Sequence, residues 1–220
     1  MKNAKVIAIT NQKGGVGKTT TAINLAAGLA IMNRRVLLID LDPQGNATSG
    51  VGYIHKEGPT LYNALCDNVH LSKTIRQTHE HFDLVPTLSH LTAAEVKLLQ
   101  HPNREKQLQI LLNDVIQQYD FILIDCPPAL NILTVNALVA AQSVIIPVQC
   151  EYFALEGLTK LLRTIDQLKS SVNQELAIEG LLRTMYDGRN KLSHEVSEQI
   201  NKHFDTQVYE TIVPRNVRLA

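Results

Sequence analysis

Asn11-Gln12-Lys13-Gly14-Gly15-Val16-Gly17-Lys18-Thr19 governs how the rest of the chain is read. Ahead of it stands Val6-Ile7-Ala8-Ile9, an apolar run short enough for a buried strand. Behind it, residues 20–30 are helix formers whose small side chains allow close packing on a sheet. Strand, glycine-rich turn and helix in succession are the setting of a phosphate-binding loop. The glycines let several backbone N–H groups turn toward one anion, and the helix N-terminus adds partial positive charge. Lys18 can reach the β- and γ-phosphates of a nucleotide, and the Thr19 hydroxyl is placed to ligate Mg²⁺. The general pattern G-x-x-x-x-G-K-[ST] calls for glycine where this chain has Gln12. A second lysine, Lys13, follows instead, and the resulting K-G-G-x-G-K-T is narrower than the general loop.

At 220 residues the chain is expected to form one domain, residues 1–220, with a large core. Hydrophobic residues make up 45% and charged residues 19%, a globular balance. No apolar stretch approaches the ~18 residues of a membrane span, and the N-terminus runs directly into the first strand, so neither a membrane span nor a signal peptide is expected. Cys66, Cys126 and Cys150 form no C-x-x-C, which fits a reduced cytoplasmic protein with half-buried thiols. Formal net charge is zero, which argues against constitutive tight binding to nucleic acid.

Further buried strands are expected at 35–40, 82–86, 121–125, 143–148, 178–184 and 208–213, with helices at 92–100, 104–118, 131–141, 155–170 and 193–203. Residues 50–59 read as loop. Continuous Val/Ile/Leu runs mean strands covered on both faces. Alternation of strand and helix then predicts an α/β fold with a doubly wound, mostly parallel sheet. Ligands of such sheets sit at the carboxyl ends of the strands. Two of those ends carry carboxylates: Asp40-Leu41-Asp42-Pro43-Gln44-Gly45-Asn46, and Asp125-Cys126-Pro127-Pro128. A carboxylate closing a buried strand is costly unless it meets a cation or donors. Beside a phosphate loop that cation is Mg²⁺.

At these residues the chain resembles the ParA/Soj chromosome- and plasmid-partitioning ATPases, the deviant Walker A group of P-loop proteins. The resemblance rests on K-G-G-V-G-K-T-T at 13–20, D-L-D-P-Q-G-N-A-T at 40–48, F-I-L-I-D-C-P-P at 121–128 and V-P-R-N-V-R-L at 213–219, in the family's order. It implies that ATP draws two subunits together face to face, with Lys13 reaching the partner's nucleotide while Lys18 serves its own. A cation arriving only in the dimer would act as an arginine finger does. The resemblance further implies that the amides of Gly14, Gly15, Val16 and Gly17 hold phosphates, with Thr20 beside them. Thr19 would ligate Mg²⁺, Asp125 would reach it through water, and Asp40 would stand close to the metal shell. Asp42 would orient the attacking water. Pro214 and Asn216 would lie on the adenine side.

The resemblance also implies DNA binding without sequence preference, with Arg189, Lys191, Arg215 and Arg218 as the matching positions. Residues 181–220 hold six cations against five anions, an ordinary surface by count. About two or three phosphate contacts per subunit would bind weakly and fail steeply with salt. Two subunits joined by ATP would present both patches, and avidity can then rise by ~10²–10⁴. A ParB/Spo0J-like centromere-binding partner that stimulates hydrolysis is implied too. Family members usually continue beyond Ala220 through a further loop and a final helix. Two other readings stand beside this one. A MinD-type membrane-associated positioning ATPase would call for a C-terminal amphipathic helix. A metabolic or electron-transfer enzyme of the iron-protein type would call for a cysteine farther from Asp125 than Cys126.

Overall fold

The computed structural model describes residues 3–54, 57–152 and 154–216. In chain order its elements are β1 (Lys5–Ile9), α1 (Lys18–Ile31), β2 (Val36–Asp40), α2 (Asn46–Gly50), α3 (Leu61–Cys66), β3 (Arg76–Gln77), β4 (Asp83–Val85), α4 (Thr92–Leu99), α5 (Gln107–Leu112), β5 (Phe121–Asp125), α6 (Ile132–Ala140), β6 (Ser143–Gln149), α7 (Ala154–Ser171), β7 (Ala177–Tyr186), α8 (Lys191–Phe204) and β8 (Val208–Pro214). The strands form one sheet in the order β3-β4-β2-β5-β1-β6-β7-β8. Every pairing is parallel except the two-residue edge strand β3, which runs antiparallel to β4. The doubly wound, mostly parallel α/β sheet expected from the sequence is therefore present.

Side chains alternate across each strand, so one apolar run serves two cores. Val6 and Ala8 face the side covered by α3 through α8, together with Leu37, Ile39, Ile122 and Ile124. Ile7 and Ile9 face the side covered by α1, with Leu38, Leu123, Ala22 and Ala26. The alanines of α1 let its backbone approach the sheet. The chain leaves β1 toward β2 on one side and later returns to β6 on the other, with β5 and β6 flanking β1. That reversal opens a crevice at the carboxyl end of β1, where the phosphate loop begins.

One local expectation is corrected, and one short helix is added. Residues 104–118 are α-helical only over Gln107–Leu112. Beyond it the chain tightens into bonds three residues back, from the N–H of Asn113, Asp114, Val115 and Gln118. The stretch 50–59 is followed at once by α3, whose Thr60 and Asn63 form a reciprocal capping box.

Candidate active site

The loop after β1 is braced from three sides. Asn11 accepts a hydrogen bond from the Lys13 N–H at 3.0 Å and donates its own amide to the Pro147 carbonyl of β6 at 2.7 Å. The Thr184 hydroxyl at the end of β7 donates to the Val16 carbonyl at 2.7 Å. Gly17, at φ +85°, adopts the left-handed conformation that glycine tolerates, and its carbonyl accepts the Thr21 N–H of the first turn of α1 at 2.9 Å. Lys18 is 7% exposed and curls back to donate to the Lys13 carbonyl at 3.2 Å. Burial lowers its pKa, opposed by the nearby carboxylate charges of Asp125 and Asp42.

Strand parity explains why two carboxylates meet this loop. Asp40 and Asp125 are register partners on adjacent parallel strands, about 4.8 Å apart. Each lies two residues beyond a side chain of the core under α1, Leu38 and Leu123. Both are therefore on the α1 side of the sheet, near Lys18 and Thr19. Their surroundings differ. Asp40 accepts from the Thr48 N–H at 2.7 Å, the Thr48 hydroxyl at 2.6 Å and the Asp42 N–H at 3.3 Å. Thr48 in turn accepts from the Thr87 N–H at 3.0 Å, so Asp40 organises the turn behind β2. Asp125 is fully buried, and neither of its oxygens completes a hydrogen bond. Burial raises its pKa to about 7, eased by the adjacent Thr19 side chain and raised further by Asp40 and Asp42. Burial raises Asp40 to about 6, with the Thr48 bonds opposing. Of the two acids expected near a metal, Asp40 is thus spent on protein donors, and the open pair of oxygens belongs to Asp125. Asp42 accepts the Gln44 N–H at 3.0 Å and stays buried in the same turn.

Among the described residues no three His, Cys, Asp or Glu side chains gather into a self-contained metal site. Mg²⁺ does not require one, because it binds through one or two carboxylates together with substrate phosphates and water. A buried, unpartnered carboxylate beside a threonine hydroxyl and a phosphate loop fits that habit. Cys126 fits iron ligation poorly: its thiol is buried, and burial pushes its pKa up.

Lys13 and Lys18 have different partners. The Lys13 ammonium pairs with the Glu151 carboxylate in the turn after β6, at a half-exposed position. Along α1 and the ends of β7 and β8 lies a mainly apolar cavity of about 620 Å³. Pro214 and Asn216 line it, with Gly17, Thr20 and Tyr209. The structure thus brings 13–20, Asp40, Asp42, Asp125, Pro214 and Asn216 to one end of the sheet.

The four basic positions are less concentrated. Arg189, 92% exposed by side chain, forms a two-pronged pair with Asp187 at 2.9 Å. Lys191, 91% exposed, lies 3.5 Å from Glu195. Arg215 is exposed and adds to the field that, after Arg189, holds the Asp187 carboxyl down to about 2. Arg218 lies outside the described residues. Sequence reasoning passed over Thr184, Glu151 and Tyr209. None of the three carried a local signal: Thr184 follows Arg183 within β7 rather than closing an apolar run.

The AAA domain family model matches residues 4–178. A chromosome partitioning protein ParA of Myxococcus xanthus is 51% identical over 98% of this chain and 77% of its own length. The sporulation initiation inhibitor protein Soj of Bacillus subtilis is 51% identical over 98% of this chain and 86% of its own length. Among solved structures, a plasmid partition protein from Borrelia burgdorferi superposes with a TM-score of 0.86 at 30% identity, covering 99% of this chain and 92% of that one. The cobyrinic acid a,c-diamide synthase of Mycobacterium smegmatis, with bound ADP and magnesium, superposes with a TM-score of 0.91 at 38% identity, covering 97% of this chain and 87% of that one. No helix among the described residues is long and apolar enough to cross a membrane.

Proposed function

We propose that this chain, which belongs to the ParA/Soj family of partitioning ATPases, is a nucleotide-controlled switch for DNA segregation. Family membership carries the coarse statement: the protein is an ATPase that uses ATP and Mg²⁺ and acts in DNA segregation. The finer cycle is our reading. ATP joins two copies of the single domain, the dimer binds double-stranded DNA without sequence preference, and hydrolysis releases it. A ParB/Spo0J-like partner accelerates an otherwise slow turnover, and the protein resides in the cytoplasm, on the nucleoid when ATP-bound.

One observation carries most weight: a braced phosphate loop with buried Lys18 lies beside Asp125, whose two oxygens have no protein hydrogen-bond partner. In this reading Gly14 through Gly17 and Thr20 hold the phosphates by backbone N–H groups. Lys18 neutralises charge on the subunit's own nucleotide. Thr19 and Asp125 hold the metal, Asp125 through water, and Asp40 sets the turn beside them. Mg²⁺ supplies charge neutralisation of the transferring phosphoryl group. Asp42 orients the attacking water. Pro214 and Asn216 bound the base. Lys13, held to Glu151 at the surface, exchanges that partner for the phosphates of the other subunit. An exposed ion pair is worth at most about 1 kcal/mol, so the exchange is easily driven. Arg189, Lys191, Arg215 and Arg218 make the phosphate contacts to DNA. Asp187 and Glu195 yield to the denser charge of the duplex.

Mass in solution with ATP, with ADP and without nucleotide tests the switch. The reading expects a doubled mass with ATP alone in the wild type. Lys13→Ala should remain a monomer that binds nucleotide but has lost normal turnover. Wild-type turnover in that variant would sink the cross-subunit role of Lys13.

A further inference from the structure

We infer that Thr184, which no sequence motif marks, is a positioning residue of the phosphate loop. It sets the orientation of the peptide between Val16 and Gly17 and so controls affinity for the nucleotide's phosphates. The inference rests on the nucleotide-binding reading and adds to it a residue 168 positions away in sequence.

Thr184 ends the buried part of β7 and is 3% exposed. Its hydroxyl donates to the Val16 carbonyl at 2.7 Å. Its Cβ and methyl lie 3.8 Å from where a Cβ on Gly17 would stand, so methyl and hydroxyl meet the same peptide. A trans peptide is planar, with N–H and C=O pointing in opposite directions. Fixing the Val16 carbonyl toward β7 therefore turns the Gly17 N–H away from β7 and into the loop, where anions bind. Glycine needs such an external hold. At φ +71° and +85°, Gly15 and Gly17 occupy conformations reached at little cost, and their peptides rotate more freely than those of other residues. A loop built to bind an anion through N–H groups gains affinity when those groups are already aimed. Pairing of Gln149 with Thr184 extends the brace to β6, which holds the front of the loop through Asn11.

The strand alternation gives β7 a second attachment. Arg183, one residue earlier, points to the other face and bonds the Ser197 hydroxyl of α8 at 3.0 Å and the Tyr209 carbonyl of β8 at 2.9 Å. Thr184 is thus mounted on a strand pinned on both sides, as a positioning group requires.

The test compares the wild type with Thr184→Val, which keeps the shape and removes the hydroxyl, and with Thr184→Ser, which keeps the hydroxyl. Titrations use ADP with Mg²⁺, and adenosine as a ligand without phosphates. Thermal unfolding without nucleotide accompanies each variant. The expected result is about tenfold weaker ADP binding for Thr184→Val, the change that one hydrogen bond supports. Adenosine binding should be unchanged, and Thr184→Ser should stay within about twofold of wild type. Wild-type ADP affinity in Thr184→Val overturns the inference. So does an equal loss for ADP and adenosine, or a loss in Thr184→Ser matching that in Thr184→Val. If Thr184→Val does not fold, wild-type ADP affinity in a folded Thr184→Ser supports the inference, and a tenfold loss there overturns it. A wild type that binds no ADP would overturn the nucleotide-binding reading itself.

Discussion

Replacing Asp125 with asparagine should stabilise the metal-free protein, and by more at high pH than at low. The carboxyl is fully buried, both oxygens lack a hydrogen-bond partner, and its pKa rises from 3.8 to about 7, chiefly through burial. A folded-state pKa above the unfolded value means that the folded acid holds its proton where the unfolded one has lost it. Stability therefore falls as pH rises from about 4 to about 7 and stays low above that. At about 1.4 kcal/mol per pH unit, the whole penalty is about 4 kcal/mol. About 3 kcal/mol of it develops between pH 5 and pH 8. Asparagine carries no such penalty. Differential scanning calorimetry in EDTA should find Asp125→Asn melting about 10 °C above wild type at pH 8, with a smaller gain at pH 5, given about 2–4 °C per kcal/mol at this size. Adding Mg²⁺ and ADP should reverse the order, because only the wild type regains its counter-charge. A variant less stable than wild type at pH 8 without metal would refute the account of Asp125 as a carboxylate waiting for a cation.

Three other substitutions probe the surrounding structure. Arg183→Met strips the buried donor from the Ser197 hydroxyl and the carbonyls of Tyr209 and Glu210. It should cost about 2 kcal/mol in urea unfolding, and an unchanged midpoint would show that β8 does not depend on it. Gly180→Ala would put a Cβ 2.6 Å from the Tyr209 ring, which lines the cavity beside Pro214. It should lose about 1–3 kcal/mol of stability and weaken adenine nucleotide binding, and wild-type values for both would contradict the packing. Glu151→Gln frees Lys13 from its surface partner and should raise the ATP-dependent dimerisation constant, measured by light scattering over a concentration series, by up to about fivefold per ion pair released. A smaller dimerisation constant would give Glu151 the opposite role.

The parts of this molecule legible in the sequence are those written in consecutive residues. The phosphate loop, the strands flanking it and the acids that close β2 and β5 are local patterns, and parity along a strand carries Asp40 and Asp125 to one side. What stayed hidden depends on distant pairings. Thr184 reaches Val16 across 168 residues and Lys13 reaches Glu151 across 138, which no window of sequence contains. Short elements were hidden for another reason. The two-residue β3, Arg76–Gln77, has no apolar alternation to betray it, and α3 is six residues held by a capping box. The different duties of Asp40 and Asp125 were also illegible. Both end apolar strands, and only the fold brings Thr48 to one and leaves the other with no completed hydrogen bond.

The central claim, that nucleotide controls DNA binding, is tested most directly by binding to a random-sequence duplex. The measurement is made with ATP, with ADP and without nucleotide, at two salt concentrations. The account predicts binding with ATP alone, weakening steeply as salt rises. Equal binding in all three nucleotide states would contradict it, because the phosphate loop and the basic surface would then act independently.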